Sequence, residues 1–226
     1  MNADTSTTRN AENEIHEEKL QNEDMLIEVE RKTGISFPVK LSDGKKLIGV
    51  GLRRKNFLGL SFRVYSFGIY ADKEKLTGVL RSKIVNTPTK GTDEIYKMVI
   101  DNTVGVTVKM VIVVSNLSMN MVRKNFNDSV VAAIVELGGG KNNELTKRIM
   151  EEAKDDLKLT RGSEIEITCL PGCILETKVH GKVVNKLESE MLCRAFIYLY
   201  LGDDPLDKEA KEKFGMFMLS LIGDRH

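Results

Sequence analysis

Residues Leu47–Asp72 read LIGVGLRRKNFLGLSFRVYSFGIYAD, and the pairing of this stretch decides the fold. Val, Ile, Phe and Tyr crowd two runs, Leu47–Arg54 and Phe62–Ala71, around a loop that contains Gly59. Side chains of these types fit a pleated, half-buried surface, so the runs are expected to be the strands of a hairpin. Pairing about a midpoint near Gly59 brings Arg53 opposite Tyr65. A guanidinium beside a phenol on an otherwise apolar sheet suits a carboxylate with an apolar tail. The same arginine also begins a basic triplet, Arg53-Arg54-Lys55, of the kind that commonly forms a solvated turn at a strand end. Composition alone leaves both readings open.

Upstream of the ribbon, Ile35–Leu41 alternates as a strand. Ser42-Asp43-Gly44-Lys45 follows as a tight turn, with Asp-Gly supplying the positive φ such turns need. Downstream, the spacing predicts helices over Lys73–Ile84 and Thr92–Asn102, separated by a loop at Asn86–Gly91. Val104–Val114 alternates and then becomes continuously apolar, as a central strand buried on both faces does. Ser118–Leu137 places Met119, Val122, Phe126, Val130, Ala133 and Leu137 on one helical stripe, which Gly138-Gly139-Gly140 ends. Asn143 can cap a second helix presenting Leu145, Ile149, Met150, Ala153 and Leu157. Strands are expected at Glu164–Leu170, Ile174–His180 and Lys182–Val184, then a helix over Glu188–Tyr200. Asp204 is read as the cap of a last helix, with Pro205 at its first position and Asp207 in its first turn. Strands first, helices between, strands again and helices last argue for an α+β fold, a large antiparallel sheet covered on one face by helices.

The chain has 226 residues, 41% hydrophobic and 30% charged, which is ample for a core in one domain. Residues 1–31 form an acidic tail expected to be disordered, and residues 32–226 one compact domain. No apolar run reaches the about 20 residues that cross a bilayer. A net charge of +1 gives no general attraction to nucleic acid or anionic membranes. Cys169, Cys173 and Cys193 are few and odd in number; CLPGC is the one pair that a tight turn could bridge, and free thiols are expected.

The chemistry is mostly absent. His16, His180 and His226 are scattered, so no metal set and no serine triad can be assembled, and no cofactor is expected. The triple glycine follows a helix, without the strand before it or the G-K-[ST] after it that a phosphate loop needs. Carboxylates sit on helix faces and caps, and Cys193 on an apolar helix reads as a small buried hydrophobe.

GVGLR, VYSFGIYAD and the late LESEMLCRAFIYLYLGDDPLDKEAKEKF, in that order, resemble the plant chalcone isomerase-like superfamily, from about Gly34 to Leu221. The branch they are most similar to is its non-catalytic fatty-acid-binding proteins, and the resemblance implies the chalcone isomerase-like fold. In the true isomerases an arginine and a threonine on the ribbon strands join a tyrosine and an asparagine on the first long helix, with a hydroxyl on a later one. Here the arginine is kept as Arg53, but those other positions fall on Tyr65, Met121, Asp128 and about Leu199. No catalytic residue is therefore assigned. Tyrosine beside the retained arginine is similar to the fatty-acid-binding branch, where the pair holds an acyl carboxylate. Between them this chain has one residue fewer than that pattern, at Leu60-Ser61-Phe62.

The resemblance implies a monomeric carrier of medium to long-chain free fatty acids. Arg53 and Tyr65 would hold the carboxylate, and Phe67, Tyr70, Val113, Met119, Met121, Val122, Phe126 and Leu199 are expected on the tunnel wall. It also implies the chloroplast stroma; no transit peptide is visible, so the cytoplasm is expected if this chain is the full-length product. Two alternatives remain, a chalcone-flavanone isomerase and a non-catalytic protein that assists flavonoid enzymes.

Overall fold

The computed structural model describes residues 26–83, 93–102, 105–115, 117–140, 148–149 and 158–223. Its centre is an antiparallel six-stranded sheet in the order β10-β9-β8-β5-β4-β3. The strands are β3 (Lys46–Phe57), β4 (Leu60–Ala71), β5 (Val106–Ile112), β8 (Glu164–Leu170), β9 (Ile174–Val179) and β10 (Lys182–Glu188). Two short pairs flank it, β1 (Ile27–Glu30) with β2 (Ile35–Pro38) and β6 (Leu117–Ser118) with β7 (Lys158–Leu159). The described helices are α1 (Lys73–Lys83), α2 (Asp93–Asn102), α3 (Met119–Glu136), α4 (Glu190–Leu201) and α5 (Lys208–Gly223). The expected α+β arrangement is present, with β5 at the middle of the sheet.

Period-two alternation gives the sheet two unlike faces. Phe67 and Ile69 of β4, Val108 and Met110 of β5, and Ile165 and Ile167 of β8 point to the helices and are all buried. On the opposite face the central strands carry charge. Lys109 pairs with Glu164 at 2.9 Å and Glu166 at 3.6 Å, and Glu176 with Lys178 at 3.2 Å and Lys186 at 2.8 Å. Nearer β3 that face is covered by the β1–β2 hairpin, where Phe37 is buried against Val50 and Val111.

Several boundaries differ from the sequence reading, each for a local reason. Ile27–Glu30, which acidic composition assigned to the tail, is strand β1. Its Glu30 carboxylate is used internally, accepting from Lys32 N at 3.1 Å and Thr33 Oγ1 at 2.6 Å across the turn at Gly34. The rest of that tail, residues 1–25, lies outside the described residues, as do the loop at 86–91 and, apart from Arg148 and Ile149 at a turn, the helix expected after Asn143. The strand expected over Ile35–Leu41 ends at Pro38; beyond it Val39 O accepts from Leu47 N and Lys40 bridges Lys46.

The last helix begins at Lys208, and its cap is Asp207, not Asp204. Asp207 Oδ1 accepts from Ala210 N at 3.1 Å, while Oδ2 accepts from Leu52 N at 3.0 Å. One carboxylate thereby satisfies an orphan helix donor and an unpaired donor of edge strand β3. The close docking depends on Gly51, where a Cβ would stand 2.5 Å from Phe67 Cζ and 2.9 Å from Ala210 Cβ.

Asp207→Ala is expected to destabilise the fold by about 1–3 kcal/mol, through the lost cap and the uncovered Leu52 N–H. Asp204→Ala, at an exposed position, is expected to stay within about 0.5 kcal/mol of the parent. Urea unfolding of both variants checks this. Equal losses would return the cap to Asp204.

Candidate functional site

Arg53 and Tyr65 are directly opposite one another in the β3–β4 register. Just beyond them the register shifts, so that Arg54 pairs with Arg63 and Val64 is left as an extra residue on β4. This β-bulge re-aims the side chains on either side of it. Without it, alternation would put Arg63 on Tyr65's face and Phe62 on the other. With it, Phe62 joins Val64 and Tyr65 on the helix side, and Arg63 turns to the opposite face, where Nη1 donates to Lys32 O in the β1–β2 turn.

Between this end of the hairpin, β5 and the helix layer lies a cavity of about 310 Å³, at the small end of the range for small-molecule sites. Of the residues singled out from the sequence, Arg53, Tyr65, Met121, Val122, Phe126 and Leu199 line it. Four others do not. Tyr70 is an odd number of residues from Phe67 and so faces the β1–β2 hairpin, where its hydroxyl donates to Pro38 O at 2.9 Å. Val113 likewise alternates away from Ile112, and its neighbours Ile112 and Val114 form the wall instead. Phe67 and Met119 are fully buried behind the lining. Phe67 supports it as an aromatic brace, its ring 6.3 Å from Tyr65 and 5.0 Å from Tyr200.

The lining is apolar apart from one end. There Arg53, Lys55, Tyr65, Ser115, Asn125 and Ser129 gather, with no carboxylate in the wall among the described residues. Lys55 Nζ donates to Asn125 Oδ1, and Asn125 Nδ2 to Met121 O at 2.8 Å, which ties the hairpin to the first turns of α3. Among the described residues none forms a hydrogen bond or ion pair with the Arg53 guanidinium. A half-buried cation in that position is poorly compensated, and an anion entering the cavity would answer it.

Lys55 and Tyr200 are the groups that sequence reasoning missed. Lys55 sits two residues from Arg53, so strand alternation could have placed it on the same face. Tyr200 follows Phe196 at the i,i+4 spacing of α4, and the two rings stand 5.5 Å apart. Its hydroxyl lies against Tyr65's. Burial pushes the Tyr65 phenol above its ordinary value, while Arg53 and the hydrogen bond with Tyr200 pull it back. Tyr200 is pushed well up, first by burial and then by Tyr65, with Arg53 again opposing. Both are therefore neutral phenols at neutral pH, and Tyr65 can donate a proton in a hydrogen bond to a carboxylate. Among the described residues no cluster of three or more His, Cys, Asp or Glu is arranged to hold a metal ion, and no helix is long and apolar enough to cross a membrane.

Comparison with known proteins sets this geometry in context. A family profile described as chalcone isomerase-like matches residues 32–214. Chalcone isomerase-like protein 1 of Humulus lupulus is 50% identical over 199 residues, covering 87% of this chain and 93% of that protein. Fatty-acid-binding protein 1 of Arabidopsis thaliana is 36% identical over 190 residues, covering 82% and 68%. A crystal structure of an Arabidopsis thaliana fatty-acid-binding protein superposes with a TM-score of 0.82 at 35% identity, covering 88% of this chain and 100% of that one.

The five tyrosines, Tyr65, Tyr70, Tyr96, Tyr198 and Tyr200, all have phenols raised above 10.0. A raised phenol stabilises the fold fully below the unfolded value, and that stability is lost as pH climbs through the folded one. Stability is therefore expected to be flat through neutral pH and to fall above about pH 10. Tyr200→Phe should soften the fall. Urea midpoints from pH 7 to 11, with tyrosinate absorbance followed alongside, check both.

Proposed function

Since the chain belongs to the chalcone isomerase-like family, we propose that it is a non-catalytic binder of free fatty acids, with Arg53 and Tyr65 holding the carboxylate. The observation that carries this reading is an apolar cavity whose polar end holds Arg53 with no partner and no acid in its wall among the described residues. A carboxylate meets the guanidinium in a charge-assisted, potentially bidentate pair and accepts a further hydrogen bond from the neutral Tyr65 phenol. Lys55 adds a second positive charge at the same end. The acyl chain lies along Ile112, Val122, Phe126 and Leu199, each buried methylene contributing about 0.8 kcal/mol at most. Affinity then comes from the tail and orientation from the head.

The isomerase alternative has less support. The positions that resemblance aligns with the isomerase helix tyrosine and later hydroxyl are Met121, exposed at the cavity mouth, and Leu199, an apolar wall residue. Asp128, aligned with the isomerase asparagine, is exposed and outside the lining. The two that line the cavity, Met121 and Leu199, carry no group to steady a phenolate or order a water.

Titration calorimetry with dodecanoate tests the reading. Arg53→Gln is expected to weaken binding about 30-fold or more, as truncation of one partner of a buried charge pair does. Tyr65→Phe should weaken it about threefold to tenfold. Methyl dodecanoate should lose as much against the parent as the acid loses against Arg53→Gln. Across a series of acids, affinity should rise about fourfold per added methylene until the cavity is full and then level off. No binding by any acid, or identical affinity in Arg53→Gln, would overturn the proposal.

A further inference from the structure

Ladder pairing between β4 and β5 stops at Tyr65 and Ile112, so the end of the β3–β4 hairpin projects beyond the sheet as a two-stranded ribbon. Its tip is apolar and exposed: Leu58 is 86% accessible, Leu60 64% and Phe62 45%, with Met121 of α3 beside the ribbon at 53%. Leu60 and Phe62, two apart, lie on the ribbon face that carries the cavity mouth, and Phe62 and Met121 are also part of the cavity lining. The apolar tip and the opening are therefore continuous. Charge on this ribbon has one sign. Arg53, Arg54, Lys55 and Arg63 are its only ionisable residues, against no acid from Arg53 to Arg63.

The turn itself is a poor choice for folding alone. Leu58 and Gly59 connect the strands with φ of +49° and +80°, the two positive values of a type I′ turn. That turn favours Asn-Gly, and leucine is strained in the left-handed region. Here an apolar side chain is both strained and almost wholly in solvent, two costs that no contact among the described residues offsets.

We infer that this ribbon docks the protein on an anionic lipid surface, with Leu58 and Leu60 entering the headgroup boundary and the exposed Arg54, Lys55 and Arg63 meeting lipid phosphates. Apolar side chains rimmed by cations are what interfacial binding requires, and neither term alone gives stable attachment. The docked orientation turns the cavity mouth to the bilayer, so a fatty acid passes between membrane and protein without crossing water; this last step rests on the acyl-binding reading above, whereas the docking does not. The same charge pattern disfavours a second copy of the chain as the occupant, because two such ribbons would bring like charges together.

The test is flotation of the full chain with vesicles of phosphatidylcholine alone and of phosphatidylcholine with phosphatidylglycerol, at low and physiological salt. The expected result is binding to the anionic vesicles that salt weakens, and little to the neutral ones. The double variant Leu58→Asn with Leu60→Thr should lose about tenfold or more of it while its thermal midpoint stays level or rises, since Asn-Gly suits the turn. Arg54→Gln should lose about fivefold. No vesicle binding at low salt, or equal binding by the double variant, overturns the inference. So does self-association in sedimentation that the double variant abolishes without any vesicle binding, which would make the tip a protein contact. Dodecanoate affinity of the double variant without vesicles separates the two readings. Vesicle binding without acid binding keeps the docking and removes the acyl ligand; the converse keeps the ligand and removes the docking.

Discussion

The site depends on one extra residue. Val64 bulges from β4 between Arg63 and Tyr65, and the shift it makes in the ladder decides which side chains meet. On β3, alternation runs undisturbed and gives Arg53 and Lys55 the same face. On β4, the bulge sets Tyr65 and Phe62 on that face although they are three residues apart. Two cations from one strand and two aromatic rings from the other thus come together at one end of an apolar cavity. The bulge also sends Arg63 to the back of the sheet, where it ties the hairpin to Lys32. A ladder without the extra residue would put a third cation, a second guanidinium, into the cavity and take away its aromatic lip.

Behind the lining, rigidity comes from packing that the hairpin alone could not supply. Phe67 stands on the same strand face as Tyr65, braced by Tyr200, which in turn meets Phe196 and, beyond it, Phe126. The ring chain links β4 to α4 and α3, so the wall that faces a ligand is held from below by edge-to-face contacts. Gly51 leaves the space that Phe67 fills, and Asp207 fastens α5 to the edge of β3. A cation without a partner among the described residues, as Arg53 is, needs such a frame, for a loose site would let it turn out to water.

Much of this was legible in the sequence because it is local. The hairpin and its turn at Gly59 follow from composition and period two, whereas the expected opposition of Arg53 and Tyr65 is present because the Val64 bulge shifts the ladder by one residue from the Leu58-Gly59 turn. Alternation was also sufficient to exclude Tyr70 and Val113 from the wall, and to add Lys55 and Val114. What could not be read is set by partners far along the chain. Asp204 and Asp207 are equally good caps in isolation; the N–H of Leu52 selects the second, 155 residues away. Ile27–Glu30 looks like solvated tail until Thr33 and Ser66 are seen to form a chain of hydroxyls from the buried Glu30 carboxylate to β4, with Thr33 Oγ1 and Ser66 Oγ 2.6 Å apart. The bulge leaves no mark in the sequence at all, since Val64 is an ordinary strand residue.

Local rules are broken most densely at the end of the β3–β4 hairpin. Leucine in a left-handed turn, three apolar side chains in solvent, a register shift and a guanidinium without a carboxylate among the described residues all fall between Arg53 and Tyr65. Elsewhere exceptions are scattered singly, as at the register shifts beside Ile48 and Val184 and the positive φ of Cys173 and His180, while charges on the open sheet face are paired across strands and glycines occupy most of the positive-φ turns. Folding gains nothing from a cluster of exceptions in a thirteen-residue stretch, each of which lowers stability. Consistency at every level is what stability alone selects, and departures gather where a surface must meet something besides its own chain. On the readings proposed above, that is an anion with an apolar tail at the base of this ribbon and a surface both apolar and negative at its tip. A lipid offers both.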